Sequence, residues 1–297
     1  MGHWRGRTAL MFVAMTGILV ALGTVVGYIF HNVWVGFYVM LALSVVISLS
    51  SYFFSKKMAL MANKVHLITR EEEPRLYNTV ERLANKAGLP MPEVGISEVP
   101  MPNAFATGRS PKDAAVVATR PLLNMLNDEQ LEGVLAHELS HVKNRDILVM
   151  SVASALASIV SFATRMAVWS ALFSGDRDNP TGLVIAIAAD LTMPFAAMLI
   201  QLGVSRNREY LADESGARLT GKPMALASAL IALETGCTAS SNNYRNPAGS
   251  NMWITNPSGK RKIPGLEGLF RTHPSTEDRV ERLKKLDYEL NGVRHVY

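Results

Sequence analysis

Cysteine is almost absent from this chain of 297 residues: Cys237 stands alone, so no intrachain disulfide can form, as suits a reducing compartment. No internal repeat is present. Charge is scarce at 19% of residues, and two early stretches, 8–30 and 33–54, hold none. Each is long enough to cross a bilayer as a helix. Arg5 and Arg7 precede the first stretch like a charged leader. The apolar run is too long for a removable signal peptide, however, and no small-residue cleavage site follows it. The turn at His31-Asn32 makes the two stretches an antiparallel helical hairpin.

The rest of the composition agrees with a membrane protein. Hydrophobic residues make up 48%, and the mean hydropathy is +0.14. Two further apolar tracts, 147–173 and 181–204, read as spans three and four, and carry Arg165 and Asp190. A charge inside a membrane helix needs a partner or a wet cavity. Arg165 and Asp190 therefore either pair with each other or lie at the interface; the other reading is a transport or proton-relay role. The net charge of +5 does not call for nucleic acid, because much of it flanks the spans, where anchoring accounts for it. Arg5, Arg7, Lys56, Lys57, Lys143, Arg145, Arg206 and Arg208 all fall on one side. The loop 174–180 on the other side is net acidic. The positive-inside rule then puts both termini and the soluble segments in the cytoplasm.

Between the spans, 73–89 has the apolar spacing of an amphipathic helix, with Leu76, Val80, Leu83 and Ala84 on one face. Residues 94–99 and 114–118 read as short strands, separated by a turn-rich segment from Pro100 to Lys112. Asn127 with Gln130 forms a capping box that opens a helix running through Val142. Residues 223–235 and 274–290 also read as helices. The segment 236–268, rich in Ser, Asn, Pro and Gly, is either a lid or a disordered insertion.

The helix after Asn127 contains His137-Glu138-Leu139-Ser140-His141. Two histidines four apart share a helix face, about 5–6 Å apart at Cβ, which suits two ligands of one zinc ion. Glu138 can then act as general base on water at the metal. A catalytic zinc needs a third protein ligand and an open position. Glu209 can supply the ligand, and Asp213, one turn on, can accept a hydrogen bond from a ligand histidine. The plainer reading has both acids solvated or paired with Arg206 and Arg208. His273 is a candidate oxyanion donor, although most lone histidines have no such task. Asn103, Ala104 and Phe105 sit where a substrate strand could pair with a sheet edge, or they form a structural turn with Phe105 in the core.

Taken in order, the hairpin, Asn103-Ala-Phe-Ala-Thr-Gly108, the HExxH helix, Ser205-Arg-Asn-Arg-Glu-Tyr-Leu-Ala-Asp213 and Thr272-His-Pro-Ser275 resemble the HtpX group of bacterial membrane zinc endopeptidases. These are relatives of the CAAX prenyl proteases, and the resemblance covers nearly the whole chain. It implies one zinc ion held by His137, His141 and Glu209, Glu138 as the catalytic glutamate, and Asp213 behind the ligands. The fold it implies is mainly α with a small β-sheet: a zincin-like metalloprotease core on an anchor of four transmembrane helices. The expected organisation is a hairpin over 1–57, catalytic segments over 58–146 and 205–297, and a second helix pair over 147–204. The expected setting is a bacterial inner membrane, with the lipid bilayer and damaged or unassembled membrane proteins as partners, in stress response and quality control. The alternatives are a CAAX-type prenyl-protein protease, or a transporter or scaffold with structural zinc.

Overall fold

The computed structural model describes residues 31–148, 206–240 and 274–293, with a few positions between 13 and 24, all of them helical. Most of the first span, and spans three and four apart from Ile147 and Leu148, lie outside the described residues, as do Arg165, Asp190 and 241–268 of the segment read as a loop; its first five residues, 236–240, instead continue a helix. The described part is mainly helical, with one small mixed sheet.

Helix α1 (Val33–Ala62) starts at Asn32, whose side chain accepts a hydrogen bond from the Val35 amide at 3.2 Å. Its 30 residues make it about 45 Å long. Among the described residues, Val33–Ser50 is the one stretch long and apolar enough to cross a membrane. Trp34, Tyr38, Val46 and Phe53 are each more than half exposed, an apolar surface that water would penalise. The end of α1 is different. Ala59 packs with Phe105 and Val117, and Lys56 Nζ lies 3.0 Å from carboxylate oxygens of both Glu93 and Asp113.

The sheet runs β1 (Val65–Leu67), β2 (Glu93–Ser97), β4 (Asp113–Thr119), β3 (Ala104–Ser110). Strands β2 and β4 pair in parallel; the two outer pairings are antiparallel. Helix α2 (Pro74–Ala87) crosses over between β1 and β2, burying Leu76, Val80, Leu83 and Ala84 as its periodicity requires, and Gly88 ends it at φ +69°. Strand β3 departs from the sequence reading, which took Pro100 to Lys112 as turn. Pro102, Asn103 and Gly108 are turn-formers, but they bracket a run that alternates between two packed faces. Ala104 and Ala106 join the main core, whereas Phe105 meets the end of α1. Gly108 takes φ +138° at a bulge, and a Cβ there would stand 2.0 Å from the Asp113 carbonyl oxygen.

Short helix α3 (Arg120–Met125) leads into α4 (Asp128–Lys143), which opens with the expected capping box. The Asn127 side chain accepts from the Gln130 amide at 2.9 Å, and the Gln130 side chain accepts from the Asn127 amide at 3.1 Å. Helices α5 (Arg206–Thr220), α6 (Pro223–Ser240) and α7 (Thr276–Asn291) complete the described fold. One core unites Leu131, Leu135 and Leu139 of α4 with residues of α2, the sheet, α6 and α7. Helix α4 is thus enclosed between the sheet and α5–α6. From Gly133 to Val142 every one of its residues is buried.

Candidate metal centre

A helix buried on all sides should be apolar, yet α4 carries His137, Glu138, Ser140 and His141 at 4% exposure or less. Ser140 is satisfied locally, its hydroxyl donating to the Ala136 carbonyl at 2.8 Å. The two histidines look toward α5, from which Glu209 and Asp213 project. The two helices approach closely at Gly216, where a Cβ would meet the His137 backbone nitrogen at 2.8 Å. The missing side chain lets Glu209 and Asp213, seven and three residues earlier on α5, reach the histidines.

His137 Nε2 and His141 Nε2 are 3.2 Å apart. Glu209 lies 3.5 Å from His141 Nε2 through Oε1 and 3.8 Å from His137 Nε2 through Oε2. These donors all fall within 4.8 Å of one another. Four tetrahedral ligands at about 2.0–2.2 Å from zinc would be spaced by roughly 3.3–3.6 Å, so this set fits such an ion. Two imidazole nitrogens facing each other beside a buried carboxylate also need a cation or a proton between them.

Each histidine has a carboxylate on its other ring nitrogen. Asp213 Oδ1 lies 2.9 Å from His137 Nδ1, and Asp146 Oδ2 lies 3.5 Å from His141 Nδ1. Behind Asp213 stands Arg279 of α7, donating through Nε and Nη2 to both carboxylate oxygens at 2.7 and 2.6 Å. Arg279 is 1% exposed. Helical periodicity could not reveal it, because α7 bears charges nearly all round. Asp146 carries no periodic signal either, since it follows the end of the apolar helical pattern.

Glu138 points the other way, toward the sheet, where its Oε2 accepts from the Ala106 amide of β3 at 2.9 Å. Burial pushes its carboxyl up to about 7. Burial likewise lowers His137, keeping it neutral despite Asp213. At His141 burial acts in the same sense, but the Asp146 hydrogen bond and the charges of Glu209 and Glu138 outweigh it and hold the imidazole at about 9. Asp213 is pushed up by burial and pulled further down by Arg279, ending below its ordinary value.

The remaining candidates are placed less simply. Asn103, Ala104 and Phe105 are buried, at 2, 0 and 2% exposure. Asn103 is bound through its backbone to Thr119, its amide donating to Oγ1 and its carbonyl accepting from the Thr119 amide, each at 2.9 Å. His273 lies outside the described residues.

Residues 70–287 match peptidase family M48. The chain belongs to peptidase family M48. It is 43% identical over 289 residues to the protease HtpX homolog of Pyrococcus furiosus, covering 97% of each chain. The protease HtpX homolog of Syntrophobacter fumaroxidans is 39% identical over 287 residues, covering 95% of this chain and 99% of that one. Among solved structures, the crystal structure of S. mikatae Ste24p matches at a TM-score of 0.47 and 21% identity. That match takes in 93% of this chain and 64% of the other. As an M48 peptidase this protein is a metalloprotease, and His137, His141 and Glu209 are a group able to hold its metal.

Proposed function

We propose that this M48 peptidase is a membrane-embedded zinc endopeptidase that cleaves damaged, misfolded or unassembled membrane proteins. The observation that carries the reading is the convergence of Glu209 of α5 on His137 and His141 of α4, a helix that also carries Glu138 and is otherwise enclosed by apolar side chains. His137, His141 and Glu209 hold the metal. Bound zinc supplies a Lewis acid for the scissile carbonyl and makes attacking water more acidic.

Glu138 takes the proton of that water and passes it to the leaving amine nitrogen. The Ala106 amide fixes one of its oxygens at 2.9 Å, leaving the other to receive the proton. A carboxyl near 7 is suited to exchange a proton in both directions, and a cation at the adjacent ligands would move it lower. Asp213, held by Arg279, keeps the His137 proton on Nδ1 and its Nε2 lone pair available. His273, six residues before Arg279 in sequence, is the proposed donor to the oxyanion, and Asn103 to Phe105 lie along the proposed substrate strand. The catalytic domain combines 58–146 with 205–297 on the cytoplasmic side of four spans. The exposed apolar face of α1 and the basic flanks of the apolar tracts support that arrangement.

The deciding experiment is cleavage of an unfolded protein by detergent-purified, zinc-loaded enzyme beside Glu138→Gln. Cleavage by the parent alone, abolished by a chelator, supports the reading. Equal cleavage by Glu138→Gln would remove Glu138 from the chemistry and overturn it.

A further inference from the structure

We infer that Asp146 is a positioning residue for His141, held in its pose by Arg208. The inference rests on the reading of His141 as a metal ligand. Helix α4 ends at Lys143, and the chain turns through Asn144 and Arg145. Arg145 adopts a left-handed backbone at φ +60°, which is uncommon outside glycine and costs energy. The turn brings the Asp146 carboxylate back under the end of α4, where it is 7% exposed. There its two oxygens are divided: Oδ2 faces His141 Nδ1 at 3.5 Å, and Oδ1 lies 3.0 Å from Arg208 Nη1.

The arrangement repeats the one around the other histidine. His137 is backed by Asp213 and then Arg279; His141 is backed by Asp146 and then Arg208. A carboxylate on the outer ring nitrogen settles the tautomer, so the other nitrogen keeps its lone pair for the metal, and makes the imidazole more basic. The arginine offsets the desolvation of that carboxylate and limits its orientation. Arg208 also precedes Glu209, so the Asp146 pair fixes the start of α5 where the third ligand projects. The ion pair therefore ties two ligands, His141 and Glu209, to one frame at the points where residues 149–205 leave and rejoin the described fold.

A plainer role exists for Asp146, because it opens the next helical turn, where an acidic side chain is favourable by itself. That role predicts a change in stability and no change at the metal. The test is zinc affinity by chelator competition, with the absorption spectrum of the cobalt-loaded protein, on full-length detergent-purified chain. Parent, His141→Ala, Asp146→Ala, Asp146→Asn, Arg208→Met and Asp146→Ala/Arg208→Met are compared, with Tm recorded for each. Asp146→Ala is expected to bind zinc about 10–100-fold more weakly and to shift the cobalt bands. Arg208→Met should move both in the same direction by less, and the double variant should bind no more weakly than Asp146→Ala. Unchanged zinc affinity and cobalt spectrum in Asp146→Ala, with or without a lower Tm, would overturn the inference. If Asp146→Ala fails to fold, the nearly isosteric Asp146→Asn decides by the same criterion. If instead the parent binds zinc no better than His141→Ala, the metal reading itself falls and takes this inference with it.

Discussion

Arg279 and Asp213, 66 residues apart in sequence, meet in a buried two-point ion pair, with Nε and Nη2 of the guanidinium 2.7 and 2.6 Å from the two carboxylate oxygens. The pair has consequences for pH. Burial raises the Asp213 pKa, but Arg279 and, after it, His137 overcome that and hold it below 3.8. A depressed folded-state value means stability present above 3.8 and lost as pH falls below it. Arg279→Met leaves burial opposed by His137 alone, so the Asp213 carboxyl rises, and the stability gap between variant and parent should narrow as the pH falls. At pH 7 the variant should be less stable by about 3–5 kcal/mol, the cost of breaking a buried pair. Urea unfolding midpoints of parent and variant between pH 4 and 8 read this directly. Parallel profiles would refute it.

The close approach of α4 and α5 gives a second expectation. At Gly216 an added Cβ would press on the His137 nitrogen at 2.8 Å and the Ala136 carbonyl carbon at 3.0 Å, both backbone atoms. Gly216→Ala must therefore move α5, and with it Glu209 and Asp213. A loss of about 1–3 kcal/mol should accompany weaker zinc binding. Gly133→Ala is the companion variant. Its Cβ would press on the Leu226 backbone of α6 at 3.0 Å, away from the ligands, and should cost stability without altering zinc affinity. Identical zinc affinities in both variants would show that the Gly216 contact does not set the ligand spacing.

What could be read from sequence, and what could not, follows from range. His137 and His141 needed only a helical period, and so did the pairing of Glu209 with Asp213. Asn127 and Gln130 announced the start of α4 by a local side-chain exchange. Arg279 carries no local signal, because its partner lies on another helix and α7 is charged on most faces. Asp146 was hidden behind the end of the apolar pattern, and its value depends on Arg208 returning from beyond residue 205. Strand β3 is hidden from sequence because its turn-forming neighbours dominate a short run. Only pairing with β4, the packing of Phe105 on the end of α1 and the Ala106 bond to Glu138 show it as a strand.

The capping box offers a change far from the chemistry. Asn127→Ala removes the acceptor of the Gln130 amide at the start of the helix that carries His137, ten residues along. The loss should be about 1 kcal/mol of stability. The apolar packing of α4 holds its second half in place, so kcat of the folded variant should match the parent. Denaturant titration with steady-state proteolysis checks both halves, and a fall in kcat without a fall in stability would contradict this account.

Removing the metal should expose the proton balance at His141. Burial lowers its affinity for a proton, but the Asp146 hydrogen bond with the charges of Glu209, Glu138 and Asp146 prevails, giving about 9 against an ordinary 6.5. A raised folded-state value contributes stability that is complete below 6.5 and lost as pH rises through about 9. Chelator-treated protein should therefore melt at progressively lower temperature from pH 6.5 to 9.5. Zinc-loaded protein needs His141 neutral as a ligand and gains nothing from that proton, so its Tm should hold over the same range. The Tm gap between loaded and chelated protein then widens with pH. Equivalently, zinc affinity tightens by up to about tenfold per unit as one proton is released. Thermal melts at pH 6.5, 8 and 9.5, with and without chelator, decide the matter. A gap that stays constant would mean that His141 carries no such proton, and that Asp146 and Glu209 do not act on it as their distances imply.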